Sequence, residues 1–361
     1  MSSQNRVLGI FAPYPRLEFL SDGWYRRIKV IDSILEGIPR VYINTIHEAG
    51  SANPIISFPN GVKEVFVNPR AKHRSPDVNE LLQHISLGYI HTAHIGEDFL
   101  KLNLAIPFII DFHGVAPEEE LLLGNSRRSE ELEESEKTLY LDSLVRIYIS
   151  PGMQRHFQGK YNRELSSLQL PIVSDIRLKE FTKSDAVIRS SKDSFVYSGG
   201  LQAWQNIPEM MKVAKSLGKP LLVATNQIAE FNRQYKESTY VFLKLGTYSS
   251  DELLKVYTDS SFGYLLRDDS VVNRVSFPTK LFEYIASGVI PVVKFEDLGG
   301  LSEFGIFSVS LNQLTGHSLS AEEMTTGRIK NFEISQTVVQ GFLSSAATLR
   351  NKIVSVVFDR L

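Results

Sequence analysis

Short apolar runs rich in branched and aromatic residues recur along the chain, and most are followed by a stretch in which apolar positions return at helical spacing. In the first half the runs are RVLGIF from Arg6, PRVYINTI from Pro39, KEVFV from Lys63, IPFIIDF from Ile106 and VRIYIS from Val145. Helix-length patterns with Asp or Pro near their starts occupy residues 22–36, 76–88, 117–142 and 151–161. Near-continuous apolar strands alternating with helices predict a parallel sheet covered on both faces.

The alternation pauses at LQLPIVSDIRLKEFTKSDAVIRSSKDS, a polar stretch rich in Ser and Lys, which predicts a domain boundary near residues 170–190. It resumes with FVYSGG, KPLLVATN, YVFLKLG, SFGYLLR and IPVVKF as strands, separated by helices at 204–216, 228–236, 249–258 and 278–287. A final helix is expected over about 335–357. The halves share an architecture without a detailed sequence repeat. Ligands of open α/β sheets collect beyond the carboxyl ends of the strands, so two such domains facing each other would leave a cleft lined by both sets of loops.

A length of 361 residues suits two domains, and 43% hydrophobic with 22% charged residues is ordinary globular composition. The net charge of -2 offers no basic field for nucleic acid. With zero cysteines there are no disulfides, thiolate metal sites or cysteine nucleophiles, in keeping with a cytoplasmic setting. MSSQNRVLGIFAPYP reads as a first strand and not a signal peptide, and no apolar run approaches the roughly 20 residues that span a bilayer. The dinucleotide, P-loop, zinc-protease and nucleophile-elbow motifs are all absent.

The richest polar constellation is NRVSFPTKLFEYIASGVIPVV, from Asn273. Pro278 presets a first helical turn whose free N–H groups form an anion site. Thr279 and Lys280 in that turn can reach a diphosphate, and Glu283, one turn on, can accept ribose hydroxyls. A surface pair of Lys280 with Glu283 is the competing account.

The fuller stretch YLLRDDSVVNRVSFPTKLFEYIASGVIPVV resembles the nucleotide-sugar-binding segment of bacterial glycosyltransferases in the large retaining family numbered four, such as serve capsule, O-antigen or exopolysaccharide synthesis. IIDFHGVAPEE resembles their acceptor-domain His-Gly loop, VRIYISPGMQRHFQGKY the segment before their hinge, and FVYSGGLQAWQNI the Gly-rich opening of their donor domain. The resemblance implies the α/β GT-B fold: Rossmann-like domains at 1–175 (acceptor side) and 190–335 (donor side) facing a central cleft, with a C-terminal helix at 336–361 packing back on the first. It also implies a metal-independent hexosyl transfer without cofactor, from a nucleotide diphosphate sugar to a glycan or lipid-linked acceptor. An epimerase of the same fold and a non-catalytic sugar-nucleotide-binding protein are the alternatives.

By that resemblance Glu283 holds the donor ribose as the second member of a Glu-x7-Glu motif whose first member falls on Val275. Its role then passes to Asn273, Arg274 or main-chain groups, with Ser276 nearby. After Gly199 and Gly200, Gln202, Gln205 and Asn206 stand where Arg and Lys are common, so Arg267, Arg274 and Lys280 are the candidate cations. Arg267 has Asp268 and Asp269 as alternative partners. Gly246, Thr247 and Tyr248 correspond to the base-contacting loop, or form a plain turn capped by Ser249 or Ser250.

His113, at the end of FIIDF, corresponds to the sugar-contacting histidine, and a regular strand is expected to turn Asp111 to the opposite side. Asp22 and Gly23 stand where the family has a flexible loop after its first strand, and Asp22 can equally cap a helix. Trp24, Tyr25, Ile28, Ile31 and Leu35 with Arg26, Arg27 and Lys29 make a basic amphipathic face, which suggests peripheral contact with the inner membrane or simple packing on a sheet. Adjacent Asp268 and Asp269 lack Asp-x-Asp spacing, and His91 and His94 of HTAH read as surface residues, so no metal site is expected.

Overall fold

The computed structural model describes residues 6–20, 22–45, 55–71, 73–173, 194–235, 243–316 and 319–358. The expected boundary at 170–190 lies largely outside them. The chain divides into two compact units, Met1–Pro171 with Gly341–Leu361, and Ile172–Gln340.

The first unit is built on an eight-stranded sheet. Its strands are β1 (Val7–Phe11), β2 (Arg40–Thr45), β3 (Ile55–Ser57), β4 (Lys63–Val67), β5 (Ile85–His91), β6 (Phe108–Phe112), β7 (Val145–Tyr148) and β8 (Ser167–Gln169), in the order β3-β4-β2-β1-β5-β6-β7-β8. Every pairing is parallel except β3 with β4. The helices are α1 (Gly23–Ile34), α2 (Pro76–Gln83), α3 (Thr92–Leu102), α4 (Ala116–Leu122), α5 (Ser126–Asp142) and α6 (Pro151–Tyr161).

Local chemistry sets many of these ends. Ser75 and Ser150 each accept a backbone N–H at the starts of α2 and α6, and each is followed by a proline at the first helical position. The segment 117–142, read as one helix, is two: Gly124 at φ +84° ends α4 before Asn125 starts α5. The pattern at 76–88 likewise stops at Gln83 and gives way to β5, a central strand that the sequence reading missed.

The second unit carries a six-stranded, wholly parallel sheet in the order β11-β10-β9-β12-β13-β14. Its strands are β9 (Phe195–Ser198), β10 (Leu221–Ala224), β11 (Leu243–Gly246), β12 (Phe262–Leu265), β13 (Ile290–Val293) and β14 (Val309–Ser310). The helices used below are α7 (Ile207–Leu217), α8 (Ile228–Tyr235), α9 (Ser250–Thr258), α10 (Val271–Val275) and α11 (Thr279–Ala286). One apolar cluster includes Phe195, Met210, Phe262 and Ile290, and another Tyr257, Leu281, Tyr284 and Val293.

The final helix, α12 (Ala321–Phe358), starts well before the expected residue 335. Residues from Gly341 onward belong to the first unit, where Arg350 donates to the Ile34 carbonyl at 2.6 Å. No described helix is long and apolar enough to cross a membrane.

Strand order reverses between β1 and β5 in the first sheet and between β9 and β12 in the second. At such a switch point the following connections leave to opposite sides and open a crevice at the carboxyl ends. Gly199 and Arg267 follow β9 and β12, and His91 ends β5, so polar groups collect at both places.

Candidate functional site

In the second unit β9 runs into Gly199, whose φ of +142° suits glycine. A side chain there would place its first carbon 2.9 Å from the Lys280 ammonium. Lys280 lies in the first turn of α11, only 8% exposed; it donates to Gln205 Oε1 at 2.9 Å and sits 4.0 Å from the centre of the Tyr197 ring. Arg267, just past β12, extends Nη1 towards Asn273 Oδ1 at 3.4 Å and Ser276 Oγ at 3.5 Å. Its Nε is buried without a hydrogen-bond partner among the described residues.

Burial holds the Lys280 ammonium well below the ordinary lysine range, the Arg267 charge adds to that effect, and Glu283 opposes it. Burial also brings Arg267 down to about 10 against the pull of Tyr197. Neither cation forms an ion pair with a carboxylate among the described residues. Like charges withdrawn from water and left unpaired are costly, and an entering anion offsets that cost.

Asn273 and Ser276 hold Arg267 in place. Asn273 is buried, donates to the Asp268 carbonyl at 2.8 Å, and its own carbonyl accepts from Ser276 Oγ at 3.0 Å. Arg274 goes elsewhere: it forms a two-point pair with Asp269 at 2.5 and 2.6 Å on the exposed side of α10 and does not join Lys280. Asp268 is engaged by Lys294, so neither aspartate pairs with Arg267. Pro278 precedes the first helical residue, Thr279, as an extended cap residue and does not lie inside the turn.

Glu283 is 3% exposed, and its Oε2 accepts from Tyr257 Oη at 2.7 Å, while that hydroxyl lies 2.5 Å from Ser198 Oγ. Lys280 and Glu283 are thus interior groups and not a surface pair. Val275 is buried at 6% exposure. Beyond β11, Thr247 donates to the Thr225 carbonyl at 3.0 Å, Tyr248 folds over Gly246, and Ser249 with Glu252 forms a reciprocal cap on α9. Gly200 accepts from the Tyr197 hydroxyl through its carbonyl.

In the first unit Asp22 caps α1 by accepting from the Trp24 N–H at 2.7 Å, and Gly23 is the first helical residue. The basic face of α1 divides. Arg27, Ile28 and Ile31 are buried, Arg26 donates to the Leu20 carbonyl, and Lys29 lies 3.6 Å from Asp32.

Arg27 grips Asp111 with two bonds of 2.9 and 3.0 Å, and Tyr89 donates to the same carboxylate at 2.8 Å. Burial alone would raise the Asp111 carboxyl; Arg27, His113 and His91 bring it to about 2. His91, read as surface, is fully buried and lies 3.7 Å from Asp111 Oδ2 and 3.4 Å from His113 Nε2. Asp111 and His113 are separated by one residue, so they share a face of β6 and its extension. His94 lines a separate polar cavity of about 370 Å³ with Arg70, Lys101 and Arg128.

No protein-family model matches the chain, and no curated protein matches it in sequence. Solved structures match its fold. Sucrose-phosphate synthase from Thermosynechococcus elongatus superposes with a TM-score of 0.66 at 12% identity, over 97% of this chain and 99% of that one. A UDP-forming α,α-trehalose-phosphate synthase from Burkholderia vietnamiensis gives 0.63 at 11%, over 97% and 98%. The Anabaena protein HepE in complex with UDP gives 0.63 at 13%, over 96% and 100%. At these identities the likeness shows the fold: paired parallel α/β domains with a helical C-terminal segment, the GT-B class.

Proposed function

We propose that the chain is a glycosyltransferase that takes a nucleotide diphosphate sugar as donor and passes the sugar to a hydroxyl of a glycan or lipid-linked acceptor. The observation that carries this reading is the pair of buried cations, Lys280 and Arg267, neither of them in an ion pair with a carboxylate among the described residues, placed at the switch point beside Gly199. A diphosphate supplies the missing negative charge. Among proteins of the same fold, one Burkholderia vietnamiensis synthase is UDP-forming and the Anabaena protein HepE has been seen in complex with UDP.

In this reading Lys280 and Arg267 hold the diphosphate and stabilise the charge that grows on it as the glycosidic bond breaks. Thr279 offers a hydroxyl at the same helix start, Glu283 receives the ribose, and the loop of Gly246, Thr247 and Tyr248 meets the base. On the first unit, the acceptor side, His113 supplies a hydrogen bond to sugar. Transfer with retention proceeds by front-side substitution through an oxocarbenium-like state, and surface polysaccharide synthesis is the setting that the sequence resemblance favours. Lys280 and Arg267 replace the cations that the Gly199 loop lacks, and no step assigned here uses a metal.

Val275 gives one specific reason for a second reading. Without a carboxylate at that position a non-catalytic sugar-nucleotide-binding protein is the rival. Incubation with a panel of nucleotide diphosphate sugars and hydroxyl acceptors separates the outcomes. A transferred sugar supports the proposal, an isomerised sugar identifies an epimerase, and nucleotide binding without turnover identifies the rival.

A further inference from the structure

We infer that His91 is a positioning residue that fixes the tautomer of His113, keeping the His113 proton on Nδ1. The two oxygens of Asp111 accept from Arg27 Nη2, Arg27 Nε and the Tyr89 hydroxyl. That carboxylate stays ionised, and its Oδ2 lies 3.7 Å from His91 Nδ1. A bare lone pair on Nδ1 would face an anion, whereas an N–H there is stabilised by it. His91 therefore carries its proton on Nδ1.

The same Nδ1 lies 3.4 Å from His113 Nε2. With the proton on His91, His113 Nε2 is the acceptor, which leaves Nδ1 as the proton-bearing nitrogen of the partly exposed His113 ring. The remaining nitrogen of His91 agrees with this assignment. Its Nε2 is buried with no hydrogen-bond partner among the described residues. An orphan lone pair there is tolerated more readily than an orphan N–H.

Backbone geometry marks the same spot. Thr92, directly after His91, has φ +66°, a left-handed conformation that branched side chains rarely adopt. Such strain persists where the surroundings impose it, and sites of function are where it collects. The groups facing the imidazole pair are Asp111 from β6 and Arg27 from α1, with the Tyr89 ring of β5 at 5.0 Å from that of His91. Burial lowers His113 to about 4 and His91 to about 3; Asp111 pulls both up and Arg27 pushes both down. Both rings are neutral near pH 7, so His113 acts as a directed hydrogen-bonding group and not as a cation.

His91, Asp111 and His113 bring three ligand-type atoms within 4.8 Å of one another. The Asp111 oxygens are already committed and the Arg27 charge adjoins them, so this donor set suits a proton chain and not a metal ion.

The tautomer stands independently of the transferase reading, while its kinetic consequence rests on it. Long-range proton–nitrogen spectra of the full chain, assigned with His113→Gln, read the tautomer without any substrate. The expected result is a neutral His113 protonated on Nδ1 from pH 6 to 8. His91→Asn, whose amide N–H can replace the Nδ1 donor, keeps that state, and His91→Phe releases His113 to protonate on Nε2. In transfer assays His91→Phe loses about tenfold in kcat/KM, the scale of one lost hydrogen bond, and His91→Asn recovers most of it. A wild-type His113 protonated on Nε2 overturns the inference even where His91→Phe fails to fold, and so does a His113 spectrum unchanged in His91→Phe. Absence of transfer alongside the expected spectra instead counts against the proposed function alone.

Discussion

The Lys280 ammonium lies 4.0 Å from the centre of the Tyr197 ring, with Gln205 Oε1 as its hydrogen-bond acceptor and no carboxylate ion pair among the described residues. An aromatic face and an amide oxygen are weak compensation for a buried charge. On the proposed function Lys280 therefore contributes little to the resting fold and much to an anion that enters. Replacing it by methionine keeps the packing and removes the charge. Lys280→Met is expected to stabilise the ligand-free protein by about 1–2 kcal/mol, read by chemical denaturation, and to weaken UDP binding at least tenfold. A destabilised variant that still binds UDP contradicts the assignment.

Binding should also move protons. Burial depresses Lys280 in the free protein, and a diphosphate beside it favours the charged form. Between the free and bound values the complex holds more protons, so UDP binding takes up protons and affinity falls as pH rises through that window. Calorimetry in buffers of different ionisation enthalpy measures the uptake directly. Lys280→Met is expected to abolish it.

Arg267 and Arg274 make a sharper comparison. Arg267 is buried beside Asn273 and Ser276, whereas Arg274 is tied to Asp269 at the surface. Arg267→Ala is expected to weaken UDP binding by about 10–100-fold, the scale of a lost charge-assisted hydrogen bond. Arg274→Ala is expected to change it less than about threefold, as for loss of an exposed ion pair. Equal losses in titrations of the two variants would show that Arg274 swings inward when nucleotide binds.

What distinguishes those arginines is not visible in the local sequence. Ser270 caps α10, and that short helix turns Asn273 inward and Arg274 outward; either side chain could supply a cation until the cap is known. The parallel α/β pattern was legible because buried strands are apolar on both faces. ISLGYIH escaped because Ser86, Gly88 and His91 interrupt its apolar run, and the following HTAH reads as polar surface. The burial of His91 becomes intelligible only through Asp111, its cross-strand partner in the β5–β6 register. Arg27 is the same case: one residue in a basic-looking helix is the counter-ion of a carboxylate far along the chain.

A last prediction concerns stability and lies away from both switch points. Glu136 on α5 is fully buried, with Lys160 at 2.8 Å and the Tyr161 hydroxyl donating at 2.8 Å. Burial raises its carboxyl to about 7 even though Lys160 pulls it down, and Glu118 pushes the same way as burial. Lys160 also meets Glu118 and Glu133, so it keeps carboxylate partners when Glu136 is protonated. A carboxyl raised above its unfolded value of 4.5 binds more protons in the native state, so its stabilising contribution is present below pH 4.5 and is lost as pH rises through about 7. Glu136→Gln fixes the uncharged form and is expected to flatten this part of the pH dependence. Denaturation of wild type and variant across pH 5 to 8 should show the variant gaining on the wild type by about 1–3 kcal/mol towards the upper end. A constant difference across that range would mean that Glu136 is already ionised in the folded protein and that Lys160 outweighs burial.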